Sequence, residues 1–493
     1  MADAHKLISA TSTIADAPRA PAILAAAPPA AAIRIAGGIA GVALSLVVWF
    51  GSFGLPVAVQ QSVAIAAFMI VFWATEPIEL HLTGLIGCYL FWALGVAEFG
   101  TAFGGFARET PWFLLGAFLL GMMATRTGLA VRLGYLILSR VGASYSRILL
   151  GMILVDFCLT FLVPSGIARV FILASLAAGV IDAFHVQRGN IGRGLFLVLT
   201  YSATLFDKMI IAGAVSILAR GIIVDVGGVP VEWSRWALAC LPGDLVTILA
   251  CWAFTLWLFP PEKPQLPGGG DVLRERVRQM GPLSAAEWRN VAIMVAAVGL
   301  WSTDFVHQLS PAVIGVGVGL VACLPLVGVL DREDFKRVNF PMLIFMGTVL
   351  SMGAVLTETG ALTLLTNGLF ERMAPFLQGT VATVATLYAG TFVYHLAVGE
   401  DTVVIGTLLP LLLNFASQHG MNPLAVGMIA TIASAGKLFV YQSGVLVAGY
   451  SFGYFEAKDL MKIGLVLTIV EAVVVLLLVS LYWPMLGLYL RQP

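Results

Sequence analysis

Apolar residues run along this chain in blocks of about 20, the length an α-helix needs to cross the hydrocarbon core of a bilayer. Such blocks occupy residues 35–55, 57–75, 79–97, 111–139, 191–222, 233–259, 287–305, 310–330, 340–370, 423–455 and 460–488, which predicts eleven spans. Two further apolar stretches, 148–183 and 381–418, carry polar residues at their midpoints: Pro164-Ser165-Gly166 in the first and Gly399-Glu400-Asp401-Thr402 in the second. Backbone that leaves the helix at membrane depth is tolerated only where protein or water surrounds it. Each stretch therefore reads as a re-entrant helical hairpin with its tip near the midplane.

The one long polar segment, 260–286, begins Pro260-Pro261-Glu262-Lys263-Pro264 and separates a first half, 34–259, from a second, 287–493. Residues 1–33, rich in Ala and Pro, lack the apolar core and cleavage site of a signal peptide and are expected to form a disordered cytoplasmic tail. The halves echo each other. Pro111 to Gly116 leads to Thr127-Gly128, and Pro341 to Gly347 leads to Thr359-Gly360, an offset of 232. The hairpin tips recur at 234 (Ser165, Gly399), and Lys208 and Lys437, each inside a predicted span, at 229. An odd number of spans per half makes such repeats inverted in the membrane, a common transporter design. With the N-terminus inside, 19 Lys/Arg fall on the cytoplasmic side and 5 (Arg108, Arg220, Arg235, Arg372, Arg491) elsewhere, the expected bias.

Composition sharpens the class. Hydrophobic residues make up 59% of the 493 and charged ones 11%, against about 25% charged in soluble domains. The fold expected is an all-α integral membrane protein of the cell inner membrane, multi-pass, with two re-entrant hairpins and an inverted repeat. Lys+Arg and Asp+Glu both number 27, with no basic block for nucleic acid. The five cysteines show no CxxC or metal-like spacing and read as packing residues, and nothing calls for a cofactor or metal.

Several stretches resemble the divalent anion/sodium symporter family, whose members carry dicarboxylates, citrate, sulfate and related anions. Phe72-Trp73-Ala74-Thr75-Glu76-Pro77-Ile78 is similar to its W-x-T-E stretch, and Phe103 to Phe118 with Thr127-Gly128 to its next element. Gly281 to Glu287 and Asp331 to Pro341 resemble its entry into the second half and the loop before the repeated span. The resemblance runs from about residue 40 to the end. It implies one hairpin and one interrupted helix per half, a homodimer, and an elevator-like movement of a transport domain against a scaffold. It also implies a Ser-Asn-Thr triplet at each hairpin tip, holding sodium and substrate. This chain departs there. The first tip reads Pro164-Ser165-Gly166-Ile167-Ala168-Arg169, without the Asn and Thr, and the second, Gly399-Glu400-Asp401-Thr402, keeps none of the triplet. Ser202 to Lys208 and Ser434 to Phe439 replace the usual Thr-Pro-Pro arrangement. The sodium ligands do not carry over.

Seven charged residues fall at membrane depth: Asp156, Arg169, Asp207, Lys208, Glu400, Asp401 and Lys437. Each costs about 3 kcal/mol on the insertion scale, so each is a functional candidate. An ammonium can replace a bound cation. Lys437 is expected to pair with Glu400 or Asp401, and Lys208 with residues around Ser165, each closing its hairpin as sodium would; Asp207, Glu400 and Asp401 complete the coupling candidates. Fixed structural ion pairs are the alternative. Ser165, Gly166 and Arg169 form a candidate anion site at a half-helix N-terminus, unless Arg169 is bound up by Asp156 or Asp207. Glu400, Asp401 and Thr402 would line the opposite side, where two carboxylates disfavour a dianion and leave a monoanion or zwitterion. His395, Gln442 and Ser443 carry less weight.

These features predict a secondary transporter of a small carboxylate, sulfonate or sulfate, with a proton or sodium as possible partner besides the lipid bilayer. A proton-coupled or uncoupled carrier of a zwitterionic or neutral solute and a channel remain open alternatives. No His-Glu-x-x-His helix or Gly-x-Ser-x-Gly elbow is present, so an enzyme is not expected.

Overall fold

The computed structural model describes residues 31–184, 189–265, 267, 270–370 and 374–491. Residues 1–30 of the expected tail, and Arg188 and Arg372 of the charge asymmetry, lie outside the described residues. Among the described residues the chain is helical, without strands, and nine helices are long and apolar enough to cross a membrane, or ten if a bent pair counts as one span. Large apolar side chains such as Phe50, Trp257 and Val295 stand exposed on the outer faces, as lipid allows and water does not.

The first half opens with α1 (Ala31–Phe50), α2 (Val57–Thr75) and α3 (Leu80–Ala93). The helix start at Ala31 takes three residues from the expected tail. The predicted span 111–139 is two helices, α4 (Glu109–Arg126) and α5 (Leu129–Val141), bent by 65°. Gly128 makes the bend: its φ of +76° is a backbone state that a side chain disfavours. The predicted span 340–370 breaks in the same way, into α14 (Phe340–Glu358) and α15 (Ala361–Phe370), at Gly360 with φ +79°.

Two helix pairs stand where hairpins are expected. α6 (Tyr145–Leu162) and α7 (Gly166–Phe184) turn at 163–165, and α16 (Thr380–Ala397) and α17 (Asp401–Gln418) at 398–400. The spans at 191–222 and 423–455 are interrupted. α8 (Asn190–Met209) gives way to α9 (Ala214–Asp225) across Ile210 to Gly213, and α18 (Pro423–Ala433) to α19 (Gly444–Ser451) across 434–443. α10 (Trp233–Leu258), the linker helix α11 (Asp271–Gln279), α12 (Ala285–Ser302), α13 (Pro311–Ala322) and α20 (Ala457–Leu477) complete the set.

Lipid tails are as apolar as leucine, so helices here are held by close packing and hydrogen bonds rather than by the hydrophobic effect. α4 meets α13 through Gly116, Gly315 and Gly319: a Cβ on Gly116 would lie 2.2 Å from the Gly315 carbonyl oxygen. The linker is tied down at both ends. Glu262 accepts from the Asn190 and Ile191 amides at the N-terminus of α8, the second at 3.2 Å. Arg132 of α5 donates to the carbonyls of Met280 (2.9 Å) and Gly281 (2.7 Å) and to Glu287 (2.5 Å).

Candidate functional site

Both helix breaks and the turn of the second helix pair converge on one carboxylate. Asp401 opens α17, and its Oδ2 accepts from Lys437 Nζ at 2.6 Å. Lys208 Nζ lies 3.3 Å from the same oxygen. Lys208 therefore pairs with the second helix pair and not with the residues around Ser165, because Asp401 offers its buried ammonium a carboxylate and the turn at 163–165 has none. His395 Nε2 is 3.1 Å from Asp401 Oδ1 and 3.0 Å from the Gln442 carbonyl oxygen. Both neighbours are acceptors, so Nε2 carries the ring proton. All four residues are at most 5% exposed.

The break that presents Lys437 is braced from several directions. Gln442 Oε1 accepts from the amides of Leu438 (2.7 Å) and Phe439 (2.8 Å), and its Nε2 donates to the His395 carbonyl at 3.4 Å. Gln442 thus supplies the hydrogen bonds the missing helical turn would have made. Ser443 caps α19, accepting from the Val445 amide at 3.2 Å. On α20, Gly464 admits the Lys437 carbonyl: a Cβ there would lie 2.1 Å from that oxygen. At the other break, Trp236 Nε1 donates to the Lys208 carbonyl at 2.9 Å, and the Ser216 hydroxyl sits 2.8 to 3.1 Å from the carbonyls of Ile210, Asp207 and Gly213.

Arg169 is consumed inside the protein. Its Nε donates to Asp156 Oδ1 at 3.1 Å, Nη1 to the Val163 carbonyl at 3.1 Å and Nη2 to the Ala203 carbonyl at 2.6 Å, with Asp207 Oδ1 at 3.7 Å. The side chain is fully buried. It pins the turn at 163–165 to α8, which is the fixed ion pair weighed above rather than an arm held open for solute. Gly166 is wedged between α8 and α19, where a Cβ would meet Val445 at 2.8 Å and the Ala203 carbonyl at 3.2 Å. Glu400 Oε2 accepts from the Gly444 amide at 3.3 Å, placing a protein carboxylate at the N-terminus of α19. Thr402 is buried with its hydroxyl unpartnered.

Ser165 faces open space. With Pro164, Ala168, Thr125 and Arg126 it borders a cavity of about 480 Å³ that Arg337 also lines. Arg126 is held by Asp334 and, at 2.9 Å, Asp331. Arg337 is exposed and makes no ion pair among the described residues. A second cavity, about 360 Å³, is lined by Leu350, Gly353, Ala354, Thr357 and Glu358. These are the positions 232 residues beyond Phe118, Gly121, Met122, Thr125 and Arg126, which line the first. The first cavity touches the turn at 163–165; the second borders Pro410, well inside α17, and not the turn at 398–400.

Two buried carboxylates missing from the sequence reading lie behind the lysines: Asp244 of α10, 6% exposed, and Glu471 of α20, 2% exposed. Both sit inside predicted spans, so the cost of a charge at membrane depth was signal enough to find them.

The family described as the sodium:sulfate symporter transmembrane region matches residues 33–489. A "Membrane protein" of Cupriavidus necator is 28% identical over 457 residues, covering 88% of this chain and 89% of that one. The sodium-dependent dicarboxylate transporter SdcS of Staphylococcus saprophyticus is 23% identical over 462 residues, covering 87% of each. Among solved structures, the YdaH transporter of Alcanivorax borkumensis shares the fold with a TM-score of 0.58 at 14% identity, over 89% of this chain and 100% of that one.

Proposed function

This chain belongs to the family of the sodium:sulfate symporter transmembrane region and is a multi-pass secondary transporter of anions, not an enzyme; from that premise we propose that two lysines stand in for its coupling cation. The observation that carries this reading is the convergence of Lys208 and Lys437 on Asp401 Oδ2, at 3.3 and 2.6 Å. It joins both helix breaks to the second helix pair with charge the protein itself supplies. A relative named as sodium-dependent needs an ion from solution for its coupling; here an ammonium sits at each break.

The movement proposed is elevator-like alternating access. The matched cavities on α4 and α14 support it, since only the first reaches a helix-pair turn: the site opens toward Ser165 and stays closed at Glu400. In the complementary state the face of α14 would meet the turn at 398–400. The helix pairs then act as re-entrant hairpins between inverted halves, 34–259 and 287–493, within a homodimer in the inner membrane whose N-terminus is cytoplasmic. The positive-inside bias supports a cytoplasmic side for the open cavity, which Arg126 and Arg337 line.

The solute is a small organic anion of carboxylate or sulfonate type with one negative group, bound by Ser165 and the N-terminus of α7 with Arg337 at the entrance. Glu400 and Asp401 disfavour a second negative group. Glu400 makes no ion pair among the described residues, so it would suit the cationic end of a zwitterion. Reconstituted vesicles given labelled monocarboxylates, dicarboxylates, sulfonates, sulfate and zwitterions test the reading. Saturable uptake with counterflow is expected. Unsaturable, voltage-driven current would mean a channel instead.

A further inference from the structure

We propose that Glu471, with Asp244 beside it and Tyr388 above it, is a proton-binding site that balances the charge of the lysine pair; this rests on the transport reading only for its consequence, not for its chemistry. The geometry is specific. Tyr388 Oη lies 2.9 Å from Glu471 Oε2 and 3.0 Å from the Thr468 carbonyl oxygen. A tyrosine has one hydroxyl proton, and a carbonyl oxygen and an ionised carboxylate can only accept. With Glu471 ionised, one of the two contacts goes unmade. With Glu471 protonated both are satisfied: Glu471 donates to Tyr388 Oη, and Tyr388 donates to Thr468. Release of the proton turns the Tyr388 hydroxyl from the carbonyl to the carboxylate.

The surroundings give the proton a reason to come and go. Glu471 Oε1 and Asp244 Oδ2 are buried without a hydrogen-bond partner, and neither residue makes an ion pair among the described residues. Buried carboxylates without a direct ion-pair partner are costly when ionised. These two lie on packed helices: Gly243, next to Asp244, sits against Val474 and Leu478 of α20, the helix of Glu471, and Asp244 feels the charge of Glu471. The charged and titratable groups around Glu471 are Tyr388 of α16, Lys437 in the break, Lys208 of α8 and Asp401 of α17, with Asp244 of α10 within reach of its charge; α18 contributes none. Gly436, next to Lys437, sits against Tyr388 Oη and Thr468.

The two lysines share one carboxylate, Asp401, so that cluster taken alone carries one positive charge, which an ionised Glu471 facing it offsets. A monoanion bound at Ser165 and the N-terminus of α7 supplies that charge instead, and Glu471 takes up a proton. Proton and monoanion then cross together, with no net charge moved at the centre.

Infrared difference spectra of the purified full chain in lipid, stepped from acid to alkaline pH, test the site with protons alone as the probe. The wild type is expected to lose a protonated-carboxyl band on the step. That band should be absent in Glu471→Gln, and it should shift to higher frequency in Tyr388→Phe, which removes its hydrogen-bond partner without removing the acid. A band unchanged in both variants overturns the proposal. Failure of wild-type vesicles to move any labelled anion would overturn the transport reading, while the band would still decide the proton site.

Discussion

Lys437 donates to Asp401 Oδ2 at 2.6 Å, closing the second helix pair onto the second helix break with an ion pair that is almost wholly buried. Lys208 shares that oxygen, so the two cations are unequal partners of one anion.

This inequality orders the effects of mutation. Lys437→Met leaves Asp401 paired with Lys208, whereas Asp401→Asn strands two buried ammonium groups. Breaking such a pair costs about 3–5 kcal/mol when it leaves a charge uncompensated. Thermal unfolding in detergent should show Asp401→Asn the less stable by several degrees, and Lys437→Met folded but inactive in uptake.

The two arginines near the first turn should behave in opposite ways. Arg169 holds two backbone carbonyls and Asp156 through its planar fork, geometry that lysine does not reproduce. Arg169→Lys should cut the yield of folded protein. Arg337→Ala should leave thermal stability unchanged within about 0.5 kcal/mol and raise the KM for uptake, most at low ionic strength.

In a background with the five cysteines removed, Ser165→Cys should react with an impermeant thiol reagent from the cytoplasmic side, and transported anion should slow the reaction. Thr357→Cys, in the matched cavity on α14, should react from the opposite side. Labelling of both from one face would contradict the inverted arrangement.

Gly464→Ala puts a methyl group 2.1 Å from the Lys437 carbonyl oxygen, which cannot yield without shifting the break. Overpacking of this kind typically costs about 1–3 kcal/mol. Uptake should fall more than stability, since the displaced backbone carries the lysine; equal losses in both would mean that α20 only packs there.

Much of this is legible in the chain itself. Polar residues inside apolar blocks mark both turns, and Lys208 and Lys437 mark the two helix breaks. The pairing of Lys437 with Asp401 follows once those elements are placed, because each repeat brings its tip and break together. The destination of Lys208 does not follow, since it depends on how the two halves interlock and on which way α8 ends. Gly128 and Gly360 read as repeat markers, but not as bends, because a Thr-Gly pair is equally at home in a continuous helix. Asp244 and Glu471 barely change the average of their strongly apolar blocks, and only the cost of a single charge at membrane depth marks them.

Sodium dependence of uptake tests the central claim most directly. Initial rates of anion uptake into vesicles are compared with sodium present on both sides and with sodium replaced throughout by choline. With Lys208 and Lys437 in the cation's place, the rates should be equal and Lys437→Met should abolish both. Uptake that disappears in choline and returns with sodium would contradict the account, and would mean that the altered turns still bind the ion.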